Sequence, residues 1–193
     1  MKRQTTAEKI LKAAYRLFDR EGAEAVTMRR VAEAVGITPM AIYRHFPNRE
    51  ALLKKISDDN FQTIAHDMQA CAAQPDILSR LTTLVTPYLD YALEHPHLFD
   101  HAFAVQRDDA RQFPDDFRAR KSPSFNIAVD AIAEGMRQGV LKKDDPYAVC
   151  MTLTAHQHGL IALYRAGRFS YDEKQFRQFY LESLGRMIDG LKK

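Results

Sequence analysis

An all-α fold in two parts is the expectation for this chain of 193 residues: a three-helix unit over residues 1–50 and a larger helical region over 51–193. Three observations lead there. Residues 27–52 read as a helix, a glycine turn, a short second helix and the capped start of a third. From residue 48 onward every long segment carries apolar residues at helical spacing. The length, with 46% apolar residues, is enough to bury a full core.

The N-terminal elements follow from their caps and stripes. Thr5 and Glu8 have the spacing of a capping box, and Ile10, Leu11, Ala14, Leu17 and Phe18 form an amphipathic stripe that Gly22 ends. Thr27 can cap the next helix, whose apolar face is Val31, Ala32 and Val35. Gly36 supplies the left-handed backbone that stops it without a Cβ clash. Thr38 then caps a short helix with Pro39 at its first position, where a missing N–H is harmless. Ile37, Ala41, Ile42 and Phe46 can pack inward, leaving Pro39, Met40, Tyr43, Arg44 and His45 outside. Pro47 closes this helix, and Asn48 caps another that begins at Arg49. One small core, Phe18, Val26, Val31, Val35, Ile42 and Phe46, is expected to hold the unit together. This is the pattern of a helix-turn-helix, in which the second helix enters the major groove of duplex DNA.

Beyond residue 50, Leu52, Leu53, Ile56, Phe61, Ile64 and Met68 continue the third helix as a strut to about Ala73, before Pro75. Residues 77–95 read as one helix with Pro87 inside it, which predicts a kink. Pro96 starts a short helix carrying Leu98, Phe99, Ala102, Phe103 and Val105. Residues 106–123 are charged and proline-containing, and read as a mobile connection with a short helix around 113–120. Phe125, Ala128, Val129, Ile132 and Met136 make the next stripe, ended by Gly139. Asp144 or Asp145 caps a helix that is apolar around much of its circumference, from Val149 to Tyr164, and so needs cover on more than one side. The last helix carries Phe176, Tyr180, Leu184, Met187, Ile188 and Leu191 at near-heptad spacing.

Charge is uneven. Residues 1–50 hold ten Lys/Arg against six Asp/Glu, a balance of +4, and the remainder eighteen against nineteen, or −1, so the positive charge gathers in the segment expected to meet DNA. No stretch reaches membrane-spanning length and no signal-peptide core follows Met1, which predicts a cytoplasmic protein without a membrane partner. Cys71 and Cys150 lack metal-type spacing and read as packing residues in that compartment.

The run Thr27, Arg29, Val31-Ala32, Gly36-Ile37-Thr38, Ile42-Tyr43, His45-Phe46, Asn48-Arg49-Glu50 and Leu52 resembles the DNA-binding domain of the TetR/AcrR family of bacterial transcriptional regulators. The resemblance implies a C-terminal ligand-binding and dimerisation domain. It also implies DNA contacts at Arg29, Thr38, Pro39, Met40, Ala41, Tyr43, His45 and Arg49. Chemistry sorts these: Thr27, Tyr43, His45 and Arg49 suit phosphate, which positions without specifying. Arg29 and Arg44 can pair with guanine, and Pro39, Met40 or Ala41 can meet a thymine methyl. The family's dimer is a four-helix bundle of the last two helices of each subunit. Gly159 and Gly185 would allow close approach there, and Leu160, Tyr164, Phe176, Tyr180, Leu184, Met187 and Ile188 are the candidate seam. A homodimer asks for a palindromic operator with half-sites about 34 Å apart.

Phe61, Met68, Leu84, Tyr88, Tyr91, Phe99, Phe103, Phe125, Met136, Met151 and His156 are candidate linings for a small-molecule effector site, mostly apolar with a few polar groups. Plain core is the alternative for each. Residues 155–160, Ala-His-Gln-His-Gly-Leu, with Leu163 and Ala166-Gly167-Arg168-Phe169, resemble the His-Gly motif of one C-terminal subgroup. The tryptophan common just ahead of that motif is absent, since the chain has none.

Two other readings compete. A constitutive DNA-binding protein would need no effector. A metal enzyme could use His95, His97 and His101, the last two of which stand four apart, or His156 and His158, but no Glu or Cys joins His97 and His101 at a supporting spacing. No cofactor is expected. Repression is the default expectation, because a dimer on a promoter excludes polymerase without any further contact surface.

Overall fold

The computed structural model describes residues 4–103 and 110–193. Among the described residues the regular structure is helical, apart from one isolated antiparallel bridge between Leu141 and Lys192. The order is α1 (Thr6–Glu21), a short 3-10 turn (Ala23–Ala25), α2 (Met28–Val35), α3 (Pro39–Tyr43), α4 (Arg49–Cys71), α5 (Ile77–Leu84) and α6 (Thr86–Glu94). There follow α7 (Pro96–Phe103), α8 (Asp115–Arg118), α9 (Pro123–Arg137), α10 (Pro146–Arg165) and α11 (Glu173–Leu191). The chain divides into two compact units, one of residues 4–61 and 92–103, the other of 62–91 and 110–193, so that α4 and α6 each run from one into the other.

In the first unit α1 opens on the expected capping box: Thr5 N–H donates to Glu8 Oε2 (2.7 Å) and Glu8 N–H to Thr5 Oγ1 (3.2 Å). Its buried stripe, Ile10, Ala14 and Phe18, meets Val26, Val31 and Ile42, all with no exposed surface. Each large apolar side chain so buried stabilises the unit by roughly 1.5–3 kcal/mol. Val35 and Phe46, expected in this core, are only half-buried. Helix α7 packs on α1, its His101 edge-on to Phe18 at 5.1 Å, and His95 just before it bonds through Nδ1 to Asp19 Oδ1 (2.8 Å).

In the second unit α9 packs on both α5 and α10, and α11 packs on α10 and α5. Gly135 makes the α5–α9 approach possible: a Cβ there would lie 2.8 Å from Ile77 Cγ2 and 2.8 Å from Leu141 Cδ1. Arg80 reaches across the same seam to Glu134 (3.0 Å). The chain end is pinned by backbone bonds, Lys142 N–H to Leu191 O (2.9 Å) and Lys193 N–H to Val140 O (3.2 Å).

Two expectations change and one open choice is decided. Residues 77–95 form two helices rather than one kinked helix, because α5 ends with Val85 as its C-cap and Pro87 falls in the first turn of α6, where its ring and missing N–H are tolerated. Val105 and the first part of the proposed connection, 106–109, lie outside the described residues. The described part carries α8 and follows a defined path set by Arg118 with Asp145, Arg120 with Asp130 (2.8 Å) and Lys121 with Asp116 (2.7 Å). Of the two candidate caps for α10 it is Asp145 that serves, accepting from Tyr147 N–H at 3.0 Å.

Candidate nucleic-acid interface

Helix α2 begins where Thr27 Oγ1 accepts the Arg30 N–H (3.2 Å) and stops at Gly36, whose φ of 73° and ψ of 36° are left-handed. Thr38 Oγ1 then accepts from Ala41 N–H (3.3 Å), with Pro39 in the first turn of α3. Ile42 is the single fully buried residue of α3 and anchors it to the core. That one anchor turns the remaining positions outward. Met40 is 71% and Tyr43 48% exposed, and Thr38, Pro39, Arg44 and His45 are exposed as well, while Ala41 is half-buried. An apolar thioether held 71% in water contributes nothing to the core, so its surface is available to a partner.

Thr27 and Arg29 are exposed at the start of α2. Arg29 Nε bonds to Glu33 Oε1 (3.2 Å), with side chains 83% and 64% exposed. A pair so open is worth roughly 0.2–1 kcal/mol, little enough for a phosphate or a guanine edge to displace.

Arg49, expected to contact phosphate, has its guanidinium engaged within the protein. Its Nε donates to Val26 O (2.8 Å) and its Nη2 to Ala23 O (2.7 Å), and Glu24 and Glu50 carboxylates stand 3.6 and 4.0 Å from the guanidinium. Its main donors are turned into the protein. Nothing in the sequence distinguished an arginine facing carbonyls from one facing solvent. The other N-terminal element matches its reading: Asn48 Oδ1 accepts Ala51 N–H (2.7 Å), capping α4.

Residues 10–56 match the family model of bacterial regulatory proteins of the tetR family, and residues 81–189 match that of the tetracyclin repressor-like C-terminal domain. The chain belongs to the TetR family of bacterial transcriptional regulators. Its helix-turn-helix is that family's DNA-binding domain, and the family is one of regulators rather than enzymes, which overturns the metal-enzyme alternative. The chain is 25% identical over 143 residues to the HTH-type transcriptional repressor KstR2 of Mycolicibacterium smegmatis, covering 71% of this chain and 68% of that one. A protein of unknown function from Rhodococcus sp. RHA1 shares the fold with a TM-score of 0.79 at 18% identity, covering 100% and 98% of the two chains. The regulator FadR of Bacillus subtilis, in complex with stearoyl-CoA, superposes with a TM-score of 0.71 at 16% identity, covering 91% and 96%.

In this TetR-family chain the expected effector residues fall into separate groups. Phe61, Phe99 and Phe103 belong to the first unit and pack on one another, with ring centroids 5.7 Å (Phe61–Phe103) and 4.9 Å (Phe99–Phe103) apart. The others belong to the second unit. Met68, Leu84, Tyr91 and Phe125 are buried, with Phe125 against Phe117 at 4.7 Å, and Met136 and Met151 are half-buried. Tyr88 meets His158 Nδ1 through its hydroxyl (3.2 Å), and burial pushes its phenol well above the ordinary range. His156 goes elsewhere, bonding through Nε2 to Ser183 Oγ on α11 (2.9 Å). His158 and Gln157, the latter accepting from Tyr180 OH at 2.9 Å, were not among the expected effector residues. A signal existed: residues two apart on a helix point roughly 200° apart, so only one of the two histidines could face α6.

Most residues of the expected seam are already taken up inside the subunit. Phe176, Tyr180, Leu184 and Ile188 are at most 2% exposed inside a single subunit, and Leu160 is buried too. Val85 O shares the single Tyr180 hydroxyl proton at the longer distance of 3.2 Å, and Tyr164 stacks on Phe176 at 3.9 Å. Met187 is half-buried. Near-heptad spacing marked a buried face correctly, but the face is covered by α5 and α10. What α10 and α11 leave outside is another stripe: Ala155, Gly159, Ala162, Leu163 and Ala166, with Leu181 and Gly185. Leu163 is 49% and Leu181 36% exposed, and nothing lies within 4 Å of a Cβ built at either glycine.

Among the described residues no group of three or more His, Cys, Asp or Glu could hold a metal ion. Nor is any helix among them long and apolar enough to cross a membrane.

Proposed function

We propose that this protein is a ligand-responsive repressor that binds a palindromic operator as a homodimer in the bacterial cytoplasm and leaves it when a small, largely apolar effector binds. The observation that carries the reading is α3: five residues fixed by one buried isoleucine, with Met40, Tyr43, Arg44 and His45 turned to solvent. Thr27, Tyr43 and His45 serve phosphates. Arg29 and Arg44 read guanine, and Thr38, Pro39, Met40 and Ala41 complete the surface at the base edges.

The second unit supports the sensing role. A hydroxyl–imidazole pair, Tyr88 with His158, stands where burial desolvates the phenol, and it supplies one polar group of a kind that suits a site for a mostly apolar ligand. The FadR structure with stearoyl-CoA is a precedent, within this fold, for such a ligand. The effector acts only through a difference in affinity between the operator-competent state and another. For the second copy, the Ala155–Gly159–Leu163 and Leu181–Gly185 stripes offer small residues for close approach of helices, flanked by exposed leucines.

The test is selection from a random duplex library with the purified protein, repeated with Arg29→Ala and Tyr43→Ala. A palindromic motif is expected. Arg29→Ala should weaken it by about 1–3 kcal/mol and relax one position, while Tyr43→Ala should weaken binding across sequences. No enrichment at low salt, where phosphate contacts are strongest, would refute the reading.

A further inference from the structure

We infer that Arg49 is a positioning residue for DNA recognition, one that fixes the entry to α2 instead of touching phosphate. The inference rests on the reading of residues 27–45 as the DNA surface. Two arginines converge on the turn between α1 and α2. Arg49 donates from Nε to Val26 O (2.8 Å) and from Nη2 to Ala23 O (2.7 Å). Arg30 donates from Nη1 to Ala25 O (3.4 Å) and from Nη2 to both oxygens of Glu21 (3.0 and 2.9 Å). Three carbonyls of one short turn are thereby held by guanidinium groups from α2 and from α4.

The geometry suits arginine alone. A guanidinium presents its donors in a rigid fork, so Nε and Nη2 can hold two carbonyls three residues apart at fixed spacing, whereas an ammonium is a single point. Hydrogen bonds from a charged donor are roughly twice as strong as neutral ones. Val26, one acceptor's residue, has no exposed surface, and the next residue is Thr27, the cap of α2. Holding residues 23–26 to the first residue of α4 therefore sets where α2 starts, and with it the direction from which Thr27 and Arg29 meet the duplex. The surroundings also disfavour a phosphate, since Glu24 and Glu50 lie 3.6 and 4.0 Å from the guanidinium and would repel an incoming anion.

The experiment uses the full chain and two probes: a duplex carrying the wild-type consensus from library selection, and a scrambled duplex of equal length. Arg49→Lys keeps the charge and removes the fork; Arg49→Ala removes both. Titrations over a salt series are expected to show that both variants bind the consensus at least about tenfold more weakly, the scale of one mismatched base pair. Affinity for the scrambled duplex and the salt slope stay as in wild type. Amide hydrogen exchange at residues 27–31 of folded Arg49→Lys should quicken. Full affinity in Arg49→Lys, or a slope flattened by about 0.9 for each phosphate no longer neutralised, would overturn the inference, as would unchanged exchange. Arg49→Lys decides if Arg49→Ala does not fold. A wild-type protein that enriches no sequence would instead refute the DNA reading, and the exchange measurement, which needs no DNA, would still judge the clamp.

Discussion

Thr38 illustrates how much one side chain fixes at the interface. Its Oγ1 caps α3, a helix too short to survive on its own hydrogen bonds, so it both satisfies an N–H and orients the exposed surface. Thr38→Ala should destabilise the protein by about 0.5–2 kcal/mol, read from chemical denaturation. A change within error would mean that Ile42 alone holds the helix. Cys150 gives a chemical check on burial: desolvation, only partly offset by its bond with Thr154, pushes its thiol up to about 12. It should resist a maleimide at about pH 8, below the ordinary thiol value, in the native protein and react fully in denaturant, followed by mass spectrometry. Caps and outward positions such as these were legible in the sequence because they depend on residues three or four apart. The destination of a long side chain was not: Arg49 could reach carbonyl or solvent from the same backbone, and His156 and His158 could each have faced α6.

Helix ends show a second kind of information. Asp76 caps α5, and the backbone bond from Ser79 N–H (2.7 Å) is the largest influence holding its carboxyl below the ordinary range. A carboxyl with a lowered folded value stabilises above its unfolded value, about 3.9, and that stabilisation is lost as pH falls through the folded value. Asp76→Asn keeps a capping oxygen without the titration, so stability measured from about pH 5 down to about pH 2.5 should fall less steeply in the variant. Parallel curves would show that the cap does not feel this charge. Helix existence and most boundaries followed from periodicity and caps, whereas the break at Val85 did not. A proline inside a periodic run is compatible with one kinked helix or with two, and the choice depends on what packs around it. The α11 stripe shows a related point. Spacing identifies a buried face but not which element buries it, and here α5 and α10 already cover Phe176, Tyr180 and Leu184.

For the molecule as a whole, charge and length had already separated a basic N-terminal portion from a neutral remainder, and the composition of the DNA-binding part followed. The surface left for a second copy could be identified only after the subunit's own core was known. Leu163→Glu places a charge on that exposed stripe without touching the core, and it should shift a dimer toward monomer in sedimentation velocity while the helical circular dichroism stays unchanged. A variant that still sediments as wild type would remove α10 from the seam.

The first compact unit is assembled from two separate stretches of chain, 4–61 and 92–103, with α4 and α6 passing out of it and back. Recombination between relatives therefore has no clean breakpoint. A crossover after α4 would graft a foreign α7 onto this α1, and the incoming segment would have to supply equivalents of His95 for Asp19 and of His101 for Phe18. Lineages that exchange sensor regions while keeping their operator should carry residues 92–103 along with the N-terminal part, as a mosaic of two exchanged blocks instead of one.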